Sequence, residues 1–297
     1  MRISSKQIHE TVRTAVSRAS SALAKAQETA ITGKKLVHPS DDPSGAARAN
    51  ALRSAVAAND AYIRNASRAK ELLTATEAAL ADIMSVFQEA RQLAMQTNNE
   101  TITPEGRAAL VAHVQSLQKR LRLIANTSAD GIYVFGGTQA NEPYPETSNP
   151  VPTYNGDFGE RLIEIGPNTV VAGNVPGTKV FNVQVEDKPT NLFAILEELS
   201  DGVKSAVEPS DLLKQIDKAL ENVLAVRTEI GGRLQRVELA SSRLSDAEIN
   251  LKTSLSKLED ADLSEAILQL KQRELAYEAA LAVASRVGNL SLLDYLR

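Results

Sequence analysis

The sequence predicts a mainly α-helical fold: an elongated rod of long antiparallel helices with paired N- and C-terminal coiled-coil arms and a small β-containing insertion. Over most of the chain, apolar residues recur at spacings of three and four, the pattern of helices that pair along a narrow stripe. This pattern stops between Gly131 and about Asn191, where prolines and alternating apolar residues favour turns and strands. Each end of the chain carries a similar amphipathic segment set off by a break.

The composition indicates a thin core. The chain of 297 residues is 43% hydrophobic but has 5 Phe, 6 Tyr and no Trp, so Ala, Leu and Val carry most of its apolar mass. Aromatic rings usually dominate wide cores, whereas Ala and Leu at helical spacing suit the seam between two or three long helices.

The first element is an N-terminal arm, residues 1–42, which we assign to an inner coiled-coil domain. Its helix is expected to end near Gly33. An extended connector follows, because Pro39 and Pro43 both disfavour helix just before them. Asp41 and Asp42 precede the next helix, where Asp42 is expected to be the cap and Pro43 the first helical residue. The arm's stripe consists of Val12, Val16, Ala19, Leu23, Ala26 and Ala30.

A helical rod domain is predicted in two halves, residues 43–130 and 191–260. The first half holds a long helix with a seven-residue apolar repeat, interrupted only by Asn59, and a shorter helix from about Pro104. The second half is expected to contain a short helix and then a long one capped by Ser210. The pair Gly231-Gly232 marks a candidate kink in that long helix.

Between these halves, residues 131–190 form the predicted β-rich outer insertion. Prolines such as Pro143, Pro145, Pro150 and Pro152 interrupt any helix there, and Asn155-Gly156 is a typical hairpin turn signal. The segment Phe181-Asn182-Val183-Gln184-Val185 alternates apolar and polar residues, which is typical of a half-buried strand.

The C-terminal arm, residues 261–297, begins after a break in the apolar repeat. Asp262 followed by Glu265 resembles a capping box at the start of a new helix. The N-terminal arm leans basic and the C-terminal region leans acidic, so we expect the two arms to pair with opposite charges together. The stripe of this helix is predicted to be Leu263, Ile267, Leu270, Tyr277 and Leu281.

No pattern indicates an enzyme or a cofactor site. The three histidines are far apart in the sequence, and Cys is absent, which excludes disulfides and thiol nucleophiles. His38 with Asp41 and Asp42 is the best candidate metal cluster, but such carboxylates before a helix are more often caps. Glu259, Asp260 and Asp262 lack the alternating spacing of a calcium loop and are interpreted as helix-breaking and capping residues.

Charge and hydropathy argue against nucleic-acid and membrane partners. The net charge is -4, whereas nucleic-acid binders normally carry an excess of basic residues. The terminal helices carry much Ala and few bulky apolar residues, so we favour helix partners over lipid. The N-terminus has no apolar core of a cleaved signal peptide, so export, if it occurs, is expected to use another route.

Five blocks of the sequence, residues 1–4, 39–47, 131–137, 154–157 and 290–296, carry a resemblance to a known family. They resemble the flagellins and hook-associated proteins, and the resemblance extends over nearly the whole chain. Flagellins typically have a Gln-rich, proline-containing stretch before their final leucines. Residues 284–289, just before Leu290, differ from that stretch, which favours the hook-associated branch.

This resemblance implies a flagellin-like structural subunit that self-associates in a ring at the junction between hook and filament, between hook-associated protein 1 and flagellin. It implies export through the flagellar type III apparatus, a chaperone on the C-terminal arm, an extracellular location in the flagellum, and arms that are disordered in the free monomer. The alternatives are a flagellin of the filament and an intracellular coiled-coil scaffold. The expected assembly interface comprises Ile3, Ile8, Val12, Val16, Leu23, Leu263, Ile267, Leu270, Tyr277, Leu281, Leu290, Leu292 and Leu293.

Overall fold

The computed structural model describes residues 2–97, 103–146, 149–185, 188–205 and 210–295, with the side chains of 2–6, 188 and 288–295 outside the description. The helices are α1 Arg2–Thr32, α2 Pro43–Gln96, α3 Pro104–Ala125, α4 Gly177–Phe181, α5 Leu192–Ser205, α6 Ser210–Glu259 and α7 Leu263–Tyr295. The strands are β1 Ser128–Ala129, β2 Ile132–Tyr133, β3 Leu162–Gly166, β4 Thr169–Ala172, β5 Asn182–Val185 and β6 Lys188–Asn191. The mainly helical class with a small strand insertion is confirmed.

The chain divides into two compact units. The first comprises residues 1–58 and 247–297, and the second comprises residues 59–246. Both predicted arms thus lie in one unit with the start of α2 and the end of α6. Residues 128–191, which hold the strands and which we call the strand segment, belong to the second unit. The apolar residues of this segment share a single core with α2, α3, α5 and α6.

Within the second unit, α2 and α6 are antiparallel neighbours. Arg227 donates to Glu77 at 2.6 and 2.8 Å, and Lys70 Nζ lies 3.1 Å from Glu238. Nearer the start of α2, the buried Asn59 side chain donates to the carbonyl of Leu244 at 3.0 Å. The numbers rise along α2 as they fall along α6, which confirms the predicted antiparallel arrangement of the long helices. Asn59 interrupts the apolar repeat because its amide has a main-chain partner.

A cluster of aromatic residues lies in the core of the second unit. Phe135, Tyr144, Phe181 and Phe193 are fully buried, and the Tyr144 ring lies 4.8 Å from Phe181 and 5.2 Å from Phe193. Phe135 packs edge-on against Phe181 at 5.4 Å. The second unit therefore has a locally thick core, which the average composition does not indicate.

The strands form three antiparallel hairpins, β1 with β2, β3 with β4, and β5 with β6. The predicted hairpin turn at Asn155-Gly156 is wrong, because these residues lie in an irregular loop before β3. Asp157 closes that loop by accepting from the main-chain N–H of Thr138 at 2.6 Å and of Gly159 at 3.0 Å. Hydrogen bonds from Thr138, first through its hydroxyl, lower the pKa of Asp157.

One arginine ties the strand segment to α6. Arg233 is buried and donates to the carbonyls of Ala172 at 3.2 Å and Asn174 at 3.0 Å. Its guanidinium also contacts Glu160 at 2.8 Å and Glu229 at 2.7 Å. A guanidinium with several partners suits a buried position, since both of its terminal nitrogens have hydrogen-bond acceptors here.

The glycines of α6 provide a test of helix propensity. Gly231 lies inside the helix, which continues through it, and a Cβ there would meet only open space. Replacing Gly231 with Ala is expected to raise the free energy of unfolding by about 0.5–1 kcal/mol, measured by urea titration. Gly131→Ala is the control: the space around it is equally open, but its φ of +70° should make the substitution destabilising. Equal effects of both changes would contradict this account.

Candidate assembly interface

The two terminal helices, α1 and α7, pack against each other in antiparallel directions. The main chain joins the end of α1 to the start of α7: the N–H of Ala261 donates to the carbonyl of Gly33 at 2.8 Å. Gly33 has a φ of +66°, the left-handed conformation that ends a helix at little cost only for glycine. The two arms therefore leave the same point side by side.

The predicted stripe of α1 is its half-buried face. Ile8 is 48% exposed, and the side chain of Ile3 lies outside the described residues. None of the stripe positions reaches full burial, so α7 covers this face only in part. The half-buried positions are Val12, Val16, Ala19, Leu23, Ala26 and Ala30.

On α7, the predicted stripe is divided. Leu270 and Tyr277 are half-buried, whereas Leu263, Ile267 and Leu281 are 55, 55 and 43% exposed. The face of α7 that packs against α1 differs from the predicted stripe and lies on the side that carries small residues. Alanine allows two helices to approach closely. This face also includes Ala266, Ala280, Ala284 and Val287. The side chains of Leu290, Leu292 and Leu293 lie outside the described residues.

Apolar side chains remain exposed on more than one side of α7. At 100° per residue, Ile267 and Leu275 lie about 80° apart around the helix, and both are turned away from the face against α1. A helix that is apolar on nearly all sides normally lies buried in a larger structure. We call the following set the exposed apolar residues of α7: Leu263, Ile267, Leu268, Leu275, Leu281 and Val283.

The predicted charge pairing between the arms is wrong for the described residues, in which no ion pair joins α1 to α7. Arg13 pairs with Glu10 in its own helix, and Lys271 pairs with Glu274. Lys25 Nζ lies 2.7 Å from Asp41, and this hydrogen bond lowers the pKa of Asp41. The described charged side chains of both helices are exposed, apart from the half-buried Glu28 and Glu274.

The predicted cap at the start of α2 is formed. Asp42 Oδ1 accepts from the main-chain N–H of Gly45 at 2.9 Å and of Ser44 at 3.1 Å, and Pro43 is the first helical residue. The bond from Gly45 is the main cause of the lowered pKa of Asp42. Pro39 lies in the connector between the helices.

Asp262 caps α7 in the same way, accepting from the N–H of Ser264 at 2.8 Å and of Glu265 at 3.3 Å. The reciprocal half of the predicted capping box is replaced by a different contact, because the Glu265 carboxylate accepts from Gln269 at 3.1 Å. The Gln269 amide lies one helical turn after Glu265, so the Glu265 carboxylate reaches it more easily than the main chain of Asp262.

In the connector, the residues considered as metal ligands have other partners. His38 Nε2 lies 3.1 Å from Glu28, while Asp41 and Asp42 are engaged by Lys25 and the start of α2. In the part of the chain that is described, no three His, Asp or Glu side chains are grouped to hold a metal ion. The same residues include no helix with an apolar stretch of membrane-crossing length.

Glu259 has a role that the sequence did not indicate. It is the last residue of α6, and its side chain is only 3% exposed. Lys34 Nζ lies 3.0 Å from one carboxylate oxygen and Arg53 Nη2 lies 2.7 Å from the other. Burial opposes ionisation of Glu259, but these two cations outweigh it and lower its pKa. No local motif signals the contact, because its partners are far away in the sequence.

Comparisons with known proteins agree with this architecture. The family model described as the bacterial flagellin N-terminal helical region matches residues 3–140, and the model of the C-terminal helical region matches residues 213–296. The fold is that of the crystal structure of flagellar hook-associated protein-3 from Legionella pneumophila, with a TM-score of 0.64 and 17% identity. The likeness covers 70% of this chain and 98% of that one.

Two relatives are similar to the chain over most of its length. It is 27% identical to flagellar hook-associated protein 3 of Salmonella typhimurium, with 100% of both chains covered. It is 25% identical to a flagellin of Listeria innocua, with 90% of this chain and 88% of that flagellin covered. The chain therefore belongs to the bacterial flagellin family of flagellar structural proteins, and its full-length similarity within that family is to hook-associated protein 3.

Proposed function

We propose that this chain forms the junction between the flagellar hook and filament, as a ring of identical subunits between hook-associated protein 1 and flagellin. The observation that carries the proposal is the surface of α7, which exposes apolar side chains on more than one side while α1 covers only one face. Neighbouring copies of the chain, and the adjoining flagellar proteins, would supply the missing cover.

The free energy available from such cover is large. Fully burying one Leu, Ile or Val side chain contributes about 1.5–3 kcal/mol, and α7 has six such side chains exposed by 43% or more. A head-to-tail contact between copies closes into a ring or continues as a helical layer. The terminal helices would then line the inner wall of that layer.

Comparing the free energy gained by burial with the cost of ordering the chain predicts arms that become ordered on assembly. Ordering costs about 1–2 kcal/mol per residue for the backbone alone. In the described residues of the first unit, only Ala49 and Ala266 are fully buried apolar side chains. So small a core does not offset the ordering of two helices, and the free subunit is expected to open and close its arms.

The exposed apolar residues of α7 must be covered before assembly to prevent aggregation. We place the flagellar export chaperone on the C-terminal arm, where the exposed apolar residues of α7 lie. Export through the flagellar type III apparatus, as an open chain, would deliver the subunit to the outside of the cell. The cysteine-free sequence suits such a route, because no disulfide can form during passage.

The decisive experiment locates the protein in isolated flagella with a specific label viewed by electron microscopy. The junction role predicts a single short band where the hook meets the filament. A label that runs along the whole filament would instead identify a filament subunit, the alternative that the similarity to Listeria flagellin favours. Absence of label from flagella would exclude both roles.

A further inference from the structure

The two breaks that set off the arms meet at one buried carboxylate, that of Glu259. We define the Glu259 cluster as this residue with Lys34, Arg53 and the main chain around Gly33 and Ala261. Lys34 comes from the connector after α1, and Arg53 comes from α2. The cluster thus draws together three separate segments of the first unit.

Main-chain bonds reinforce the ion pairs. The N–H of Lys35 donates to the carbonyl of Glu259 at 2.7 Å, and the N–H of Ala261 donates to the carbonyl of Gly33 at 2.8 Å. The side chain of Lys35 adds a bond to the carbonyl of Lys257 at 2.7 Å. Both arms begin within a few residues of these bonds, so the cluster sets their relative starting positions.

The helix pair beyond the cluster has little of its own to define its alignment. Its facing rows consist mostly of alanine and valine, with Leu23, Leu270 and Tyr277 as the larger side chains, and no ion pair joins the two helices among the described residues. Similar small side chains recur every three or four residues, so a shift along the pair would replace one contact with a nearly equivalent one. Buried polar groups are the best attested means of fixing such a register.

We propose that Glu259 is the positioning residue for the arms, and that its pairing with Lys34 and Arg53 fixes the register of α1 against α7. The carboxylate acts through the helix pair rather than by touching an assembly partner. The consequence for ring formation rests on the proposed junction role. The register itself is a property of the single chain and is measured without any other flagellar component.

The test is to replace Glu259 with Gln in the full-length chain, with Asp260→Asn as the matched control. Asp260 is the next residue, its side chain is exposed, and it joins the bridge with Lys34 only through the main chain. The control therefore removes the same charge beside the cluster and leaves the ion pairs intact. Because the chain has no cysteine, spin labels can be placed on Ser20→Cys in α1 and Gln272→Cys in α7.

The distance distribution between the labels reports the register directly. Open arms contribute a broad background of long distances in every variant. For the closed helix pair, we expect one dominant short distance in the parent chain and in Asp260→Asn, and several short distances in Glu259→Gln. Amide exchange at Lys35 and Ala261 should accelerate about tenfold or more in Glu259→Gln only, with amides of α3 unchanged. Glu259→Asp, which keeps the charge, should recover part of both signals.

Two results would overturn the proposal: the absence of a dominant short distance for the closed helix pair in the parent chain, or an unchanged distribution and unchanged amide exchange in Glu259→Gln. Failure of the junction role would appear separately, as a misplaced label in isolated flagella, and would leave these measurements unaffected.

Discussion

Replacing Phe181 with Ala is expected to lower the free energy of unfolding of residues 59–246 by about 3–5 kcal/mol. The Phe181 ring is fully buried and contacts Phe135, Tyr144 and Phe193 with ring centroids 5.4, 4.8 and 5.6 Å away. Its removal leaves a cavity that three rigid rings fill poorly. It also removes the centre of the aromatic cluster that joins α4, α5 and the strand segment.

Urea titration followed by circular dichroism measures this loss, and Phe158→Ala is the matched control. Phe158 lies in the same strand segment but is 78% exposed, so its removal should change the free energy of unfolding by less than about 0.5 kcal/mol. Similar losses for the two variants would show that the aromatic cluster is not the centre of stability in this unit.

Replacing Ile267 with Asp is expected to prevent the subunit from entering the flagellum while leaving the single chain folded. Ile267 is 55% exposed, so a carboxylate there meets water in the free subunit. In the proposed ring the same position is covered by a neighbour, and burying an unpaired charge costs several kcal/mol. Swimming in soft agar and labelling of isolated flagella both measure the result.

Gln272→Asp is the control for this prediction, since it adds the same charge at a position of α7 that is exposed and already polar. Urea titration of both purified variants should match the parent chain. Normal swimming with Ile267→Asp would contradict the assignment of the exposed apolar residues of α7 to the assembly interface.

Local signals predicted the helix boundaries well. Gly33 ends α1, Asp42 and Pro43 begin α2, and Asp262 begins α7. Each signal works through the main chain of residues at most three positions away, which explains why it can be read without the fold. The stripe of α1 was also predicted correctly, because a single regular row of apolar residues leaves one choice of face.

The paired face of α7 was harder to predict, since apolar residues lie on several of its sides. Sequence spacing favoured the larger side chains, Leu263 and Ile267, whereas the helix pair buries the row that contains Ala266 and Ala280. Only the packing partner decides between such faces. The prediction of charge pairing between the arms was wrong because net charge does not say which way a side chain points.

The ends of the long helices, the segment that forms strands and the apolar surface of the terminal arms could all be predicted from the sequence. The tertiary structure alone decided the contacts of Glu259 with Lys34 and Arg53, the aromatic cluster, and the place of Arg233 between α6 and the strand segment. Turns and caps depend on chemistry within a few residues. These other contacts join residues tens to hundreds of positions apart, and only the packing of the folded chain brings them together.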